Sequence, residues 1–235
     1  MDGNQDGMKA FWETRYGNEG MVWGERASKS AAYAASLFAG RGIRELLIPG
    51  AGYGRNTKAF SDLGYRVTGV EISGKALAIA RDFDPKTEFV QASVLDAPLP
   101  ANGFDAIYCF NVLHLFRQSD REQIVSLCTR WLRRPGYAFF TVFSMEEPSY
   151  GRGAKVEENT FESKPGRPTH YFTDADLRSH FAGFEILETG ILDDPENHGE
   201  EGEHVHRVAY IFAKTGGNAK AELESRHKAE TGEVV

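Results

Sequence analysis

Two cysteines in 235 residues are too few for a disulfide framework. Cys109 falls in an apolar strand pattern and Cys128 in a helical one, so both read as buried thiols of a reduced protein. No apolar run is long enough to cross a bilayer, which takes about 20 residues. The start, Met1-Asp2-Gly3-Asn4, is polar and acidic and lacks the pattern of a signal peptide. A formal net charge of -7 lacks the cationic excess of a general nucleic-acid binder. These absences predict a cytoplasmic protein with neither nucleic acid nor membrane among its partners, as a monomer or homodimer. No internal repeat, Ser-His-Asp set or catalytic carboxylate pair is evident. Hydrophobic content of 41% and charged content of 26% are ordinary for a globular chain, and the length suits one α/β domain.

The stretch richest in information is Glu45-Leu46-Leu47-Ile48-Pro49-Gly50-Ala51-Gly52-Tyr53-Gly54-Arg55-Asn56. An apolar run stops at three glycines, and a helical pattern follows from Thr57. This predicts a buried strand, a turn that lets a ligand approach the backbone, and a helix N-terminus with free N–H groups. Tyr65 to Glu71 reads as a second strand ending on a carboxylate. Glu71 follows Gly50 at about the distance expected of an acid that binds ribose hydroxyls, with a solvated strand-end acid as the rival reading. The dinucleotide pattern G-x-G-x-x-G needs a third glycine where Arg55 stands.

The order Gly50-Ala51-Gly52-Tyr53-Gly54 resembles the first motif of class I S-adenosylmethionine (SAM)-dependent methyltransferases. Further matches follow in order: Glu71, the strand Phe104–Phe110 with Asn111 at its end, and Leu132-Arg133-Arg134-Pro135-Gly136-Tyr137, similar to the family's L-x-P-G-G turn with Tyr137 for the second glycine. Pro49 looks like the thiopurine and thiol methyltransferase branch. Phe11-Trp12 to Tyr16 and Gly54-Arg55-Asn56 look like the TehB-type tellurite-resistance branch. The resemblance implies a Rossmann-like doubly wound α/β fold, with a mostly parallel seven-stranded sheet and a C-terminal antiparallel hairpin. Residues 1–215 would form the domain, 8–38 its N-terminal lid and 216–235 a polar tail.

The implied cofactor is SAM, with S-adenosylhomocysteine as product. Gly50, Ala51 and Gly52 would line its methionine part with Arg55 and Asn56 nearby. Glu71 would hold the ribose beside Ile72, Ser93 and Val94 would meet the adenine edge, and Asn111 would lie near the amino group. The family often has an acid near the position of Ser93; here Asp96 comes three residues later. Tyr16, Trp23 and His114 are the acceptor-side candidates, His114 being the base if one is used. Core anchoring is the rival reading for the aromatics, and simple packing for His114. The implied function is methyl transfer to a small molecule such as a thiol or chalcogen oxyanion. An NAD(P)-dependent oxidoreductase and a non-catalytic SAM-binding sensor are the alternatives.

Elsewhere the pattern predicts loose residues 1–7, a short helix from Met8 to Tyr16 stopped by Gly17, and Ser28 as N-cap of a helix to Phe38. Helices are expected over Ser73–Phe83, residues 119–133 and Asp174–Phe181, and strands over Thr87–Ala92, Tyr137–Phe143, Phe184–Leu192 and His204–Ala213. Pro135-Gly136 reads as a turn. Residues 144–170 read as a long acceptor-side connection made basic by Arg152, Lys155, Lys164 and Arg167. His204 and His206 share a strand face, near His198. They read as surface or packing histidines, as part of the acceptor pocket, or as metal ligands if a third ligand joins them. No metal site is assigned.

Overall fold

A computed structural model describes residues 3–164, 166–197 and 203–216. Seven strands form the main sheet. They are β1 (Glu45–Pro49), β2 (Arg66–Glu71), β3 (Glu88–Gln91), β4 (Phe104–Phe110), β5 (Leu132–Phe143), and, beyond a small second sheet, β9 (Phe184–Asn197) and β10 (Glu203–Thr215). Their order is β3-β2-β1-β4-β5-β10-β9. The first five run parallel, while β10 runs antiparallel to both β5 and β9. The chain reverses its direction of sheet growth between β1 and β4, where open α/β sheets form a ligand crevice. This is the doubly wound sheet and terminal hairpin expected from the sequence.

Alternation within the strands builds a core on each face. Leu46, Ile48, Ala106, Tyr108 and Phe139 pack with Phe38 and Phe60. Leu47, Ile107, Cys109 and Phe140 point the other way, onto Ile124, Trp131 and Phe181. The helices carrying these partners are α2 (Lys29–Phe38), α3 (Arg55–Asp62), α5 (Gln118–Trp131) and α6 (Asp174–His180); α1 (Gly3–Glu19) and α4 (Gly74–Phe83) pack at the far edge. Both cysteines are buried and unbridged, and burial pushes both thiols up. Among the described residues no helix is long and apolar enough to cross a membrane.

Several expectations needed correction. Residues 3–7 belong to α1, which runs past Gly17 to Glu19; Gly20, at φ 63°, follows its end. Pro135-Gly136 does not break the chain into helix, turn and strand. β5 begins at Leu132, and the extra residues bulge where Phe104 pairs with Leu132 and Ala106 with Tyr137. Residues 144–170 are not an open connection. They hold a three-stranded antiparallel sheet of β6 (Ala154–Glu157), β7 (Thr160–Lys164) and β8 (Arg167–His170). The terminal strands also run beyond their expected bounds, β9 on to Asn197 and β10 from Glu203 to Thr215. Ser28 does precede α2, yet its side chain makes no capping bond. The tail from residue 217 lies outside the described residues.

Ser28 instead joins α2 to the sheet. Its hydroxyl lies 2.8 Å from the Tyr108 hydroxyl, and Ser30 lies 2.9 Å from the same oxygen, all buried. Tyr108→Phe keeps the ring but leaves two buried hydroxyls short of a partner. It should lower stability by about 1–2 kcal/mol in equilibrium urea unfolding. An unchanged urea midpoint would show that this cluster does not hold α2 to the sheet.

Candidate functional site

The turn after β1 is shaped by left-handed backbone at Gly50 (φ 68°), Gly52 (φ 56°) and Gly54 (φ 93°). A Cβ on Gly50 would lie 2.3 Å from Val112 Cγ2, so nothing larger fits there. Glu71, at the end of β2, reaches back into this turn. One of its carboxylate oxygens accepts the Gly52 N–H at 2.9 Å and the other accepts the Ser73 N–H at 2.9 Å. Burial raises the Glu71 pKa, opposed by these backbone N–H groups. Ser73 caps α4 by accepting from the Ala76 N–H.

Around this turn the fold forms a cavity of about 320 Å³ at the carboxyl ends of the parallel strands. All thirteen residues singled out in the sequence line it: Gly50, Ala51, Gly52, Arg55, Asn56, Glu71, Ile72, Ser93, Val94, Asn111, Tyr16, Trp23 and His114. Asn111 has φ 53°, and its side-chain oxygen accepts from Thr141 Oγ1 at 3.0 Å. Asn56 accepts from the backbone and hydroxyl of Ser28, so it also braces α2. Asp96 is exposed and lies outside the lining. Arg15, Asp120, Phe143 and Thr169 join the wall without having been singled out. Asp120 had a usable signal, the first turn of the helix after the ligand-bearing end of β4. Thr169 and Phe143 depend on the placement of the small sheet and of β5's far end.

The N-terminal segment covers this cavity. The Glu13 carboxylate accepts from the N–H groups of Gly74 and Lys75 at 2.7 and 3.0 Å and from Ser73 Oγ at 3.2 Å. It thus sits at the N-terminus of α4, where a negative charge is favoured. Despite partial desolvation, these donors hold its carboxyl below the usual range. Three residues on, the Tyr16 hydroxyl lies over Gly52, 3.1 Å from where a Cβ would be. Burial, then the charge of Glu71, pushes the Tyr16 phenol well up, so it stays a neutral hydroxyl. Trp23 stacks on Tyr53, and the Arg15 and Arg55 guanidinium groups approach its ring at 5.1 and 5.4 Å. Among the described residues its buried Nε1 has no hydrogen-bond partner. Glu13→Ala should speed amide hydrogen exchange across α1 while leaving β1 and β4 protected. Unchanged exchange in α1 would show that Glu13 does not fasten the lid.

At the opposite end, His114 is 2% exposed, stacks on Phe143 with centroids 4.0 Å apart, and among the described residues has no hydrogen-bond partner for Nδ1. Burial lowers its pKa to about 3, so the ring is neutral near pH 7. Arg167 lines the cavity and sets its guanidinium 3.4 Å from the Phe11 ring centroid, joining β8 to α1. Lys155 instead pairs with Glu158 at 2.6 Å, so the expected basic surface is partly neutralised. His206 also lines the cavity and contacts Glu147. His198 and the His204 side chain lie outside what is described. Among the described residues no group of three or more His, Cys, Asp or Glu side chains could hold a metal ion.

Residues 47–140 match a family model described as a methyltransferase domain. A ubiquinone biosynthesis O-methyltransferase of Thiobacillus denitrificans is 28% identical over 113 residues, 46% of this chain and 47% of that protein. The match thus spans about half the relative's length. A solved structure described by the conversion of a disulfide bond into a thioacetal group during echinomycin biosynthesis superposes with a TM-score of 0.73. It covers 95% of this chain and 99% of that one at 20% identity. The 1,6-didemethyltoxoflavin-N1-methyltransferase of Burkholderia thailandensis, solved with 1,6-didemethyltoxoflavin and S-adenosylhomocysteine bound, gives 0.67 at 22% identity, over 89% and 87% of the two chains. Residues 47–140 are thus similar to a methyltransferase domain, and the fold of the chain is that of solved SAM-dependent methyltransferases.

Neutral burial of His114 has a consequence for stability. Its folded pKa lies below the value near 6.5 of an unfolded chain, so the unfolded state gains the proton first as pH falls. The stability present above pH 6.5 is then lost progressively towards pH 3. Between pH 7 and 5 this one group should cost about 2 kcal/mol, and buried His170 acts in the same direction. Urea midpoints at pH 7, 6 and 5 should fall for the wild type and fall less for His114→Gln. Equal slopes would rule out His114 as a source of acid sensitivity.

Proposed function

We propose that this protein transfers a methyl group from SAM to a small-molecule acceptor. The observation that carries the reading is the gathering of the Gly50–Gly54 turn, Glu71 and the Ser93–Val94 strand end on one cavity at the sheet's reversal point. The lining fits the cofactor. Glycines leave room for close backbone approach, a buried carboxylate suits ribose hydroxyls, and Arg55 with Asn56 suits a carboxylate and amine near the turn. Ile72, Ser93 and Val94 offer an apolar slot and backbone groups for an adenine edge. Asn111 lies near the amino group in this reading.

Bound SAM supplies an electrophilic methyl on a sulfonium, so the protein's task is to align, desolvate and, where needed, deprotonate. Tyr16 and Trp23 present aromatic faces of the kind that attract cations. The lid formed by α1 excludes water. His114, expected as the base, is too weakly basic at a pKa of about 3 to hold a proton near neutral pH; its open Nδ1 suits a hydrogen bond to the acceptor.

The sequence favours thiol or chalcogen acceptors, in line with the tellurite-resistance and thiopurine branches. The cavity end lined by Phe143, His114 and His206 also suits an acceptor that arrives protonated. An NAD(P) site is disfavoured because Arg55, at the third-glycine place, is buried and packs its guanidinium over Trp23 and Phe110.

Thermal unfolding with S-adenosylhomocysteine, SAM and NAD tests the reading. A ligand at a hundred times its Kd adds about 2.7 kcal/mol to the native state. Both adenosyl-sulfur ligands should raise Tm and NAD should not, with the rise much reduced in Glu71→Ala. A rise with NAD alone would overturn the assignment in favour of a dehydrogenase. Tight SAM binding without S-adenosylhomocysteine formation across thiols, oxyanions, phenols and ring N–H compounds would make the protein a sensor.

A further inference from the structure

We propose that Arg167 determines acceptor specificity, and that the acceptor is an apolar small molecule bearing one carboxylate, which the Arg167 guanidinium binds through its N–H edge. This rests on the methyltransferase reading and specifies its substrate class.

The alternation of β8 divides its residues between two tasks. Pro168 and His170 are buried, whereas Arg167 and Thr169 line the cavity. The buried pair fixes the strand. His170 Nδ1 lies 2.8 Å from Thr160 Oγ1 in β7, and its Nε2 lies 2.6 Å from Asp176 Oδ2 in α6. From this anchored strand Arg167 reaches α1, where its Cζ stands 3.4 Å from the Phe11 ring centroid. At that distance the guanidinium lies with its flat face on the ring. Its N–H donors all project from the edge, so the stack leaves them unused.

The acids of the small sheet are committed elsewhere. Glu162, opposite Pro168 in β7, pairs with Arg117 at 2.7 Å. Glu157 meets Arg121 at 3.4 Å, and Glu158 meets Lys155 at 2.6 Å. Arg15 also lines the cavity, and it has Glu19 at 3.5 Å. Asp120 lines the cavity without an ion pair to Arg167 among the described residues. Burial and then the charge of Arg15 lower the Arg167 pKa, and no carboxylate among the described residues acts in the opposite sense. Arg167 is thus a half-buried positive charge without a counter-ion among the described residues. Such a charge is costly, and an anionic ligand relieves the cost.

One unmatched guanidinium calls for one negative charge. A carboxylate meets it with two parallel N–H···O bonds, whereas a doubly charged phosphate leaves a charge over and a neutral acceptor leaves the guanidinium unmatched. Trp12, Phe116 and Phe143 line the same cavity and suit an apolar body behind the carboxylate. The methionine part of the cofactor brings a carboxylate of its own. In the reading above that group lies by Arg55 and Asn56 at the glycine turn, whereas Arg167 enters from the small sheet.

The test is fluorine NMR titration of the full chain, loaded with S-adenosylhomocysteine, with 4-fluorobenzoate and its neutral isostere 4-fluorobenzamide. The wild type should bind the carboxylate about tenfold more tightly than the amide. Arg167→Met keeps an apolar stem over Phe11 but removes the fork, and should bring the two probes within about twofold. Arg167→Lys keeps the charge without the fork and should fall between. Calorimetry should find S-adenosylhomocysteine affinity within about threefold of wild type in both variants. Equal binding of the two probes by the wild type, or binding of neither, would overturn the proposal. So would displacement of 4-fluorobenzoate by a lower concentration of inorganic phosphate, which would favour a phosphorylated acceptor. Loss of S-adenosylhomocysteine affinity in Arg167→Met with the probe preference retained would assign Arg167 to the cofactor's carboxylate and overturn it too. The wild-type titrations decide the matter even if a variant fails to fold. Failure of the wild type to bind S-adenosylhomocysteine would instead overturn the methyltransferase reading, and the probe pair on the free chain would still judge Arg167.

Discussion

The Glu71 carboxylate takes the Gly52 N–H on one oxygen and the Ser73 N–H on the other, and the rest of the site depends on that double attachment. It ties the glycine turn after β1 to the end of β2 through a single buried side chain. Without it the Gly52 N–H would be left to find another partner, at a cost of about 1–3 kcal/mol for a buried donor. The same connection leads outward. Ser73 caps α4, and Glu13 binds the same helix end from α1. Turn, sheet and lid therefore converge within three residues of Glu71. This explains how a desolvated acid is retained where its ionised form is costly: the backbone donors offset the burial, and the geometry they hold is the geometry of the cavity floor.

The cavity walls are assembled from parts distant in sequence. The Tyr16 hydroxyl rests over Gly52, Tyr53 donates to the Gly24 carbonyl beneath Trp23, and Arg167 closes from β8 onto Phe11. Each contact spans a different pair of elements. Between them a small apolar cluster of Tyr16, Val22, Tyr53 and Ala76, with Trp12, Trp23 and Ile79 packed on it, joins lid to floor apart from the two main cores. Such a lid can open locally without disturbing the two cores on either side of the sheet. In the methyl-transfer reading proposed above, a site that admits a cofactor and an acceptor and then excludes water has use for that.

What the sequence made legible follows from how local the signal was. The glycine turn, Glu71, the apolar run Phe104–Phe110 and the start of α6 at Asp174 each announce themselves within a few residues, and each lies where expected. All thirteen chosen site residues reach one cavity because the parallel strand ends bring them there. The misses have physical causes. The strands β6, β7 and β8 are four or five residues long and largely polar, so neither periodicity nor hydrophobicity marks them. Gly17 suggested a helix end, yet α1 continues through it, and Gly20 supplies the left-handed residue. Pro135-Gly136 signalled a turn, yet both residues lie within β5 and the sheet absorbs the extra residues as a bulge. Glu147 had no signal at all, because its meaning depends on a turn closing 60 residues away from its partner backbone.

His114 and His206 carry the same side chain, stack with the same phenylalanine and line the same cavity, yet their surroundings differ. His114 came to notice because it follows β4 at the place where this kind of sheet binds ligands. Burial, with the charges of His206 and His170 acting the same way, then keeps it neutral. His206 sits on a terminal hairpin strand with no motif, but a carboxylate stands behind it. Position in the sheet identifies which residues can meet a ligand; charge and burial decide which of them can take a proton. For a fold that hosts many acceptors on one cofactor scaffold, the second question carries the specificity. In this chain the β5–β10 pairing and the Glu147 turn place the two histidines of the cavity in different surroundings.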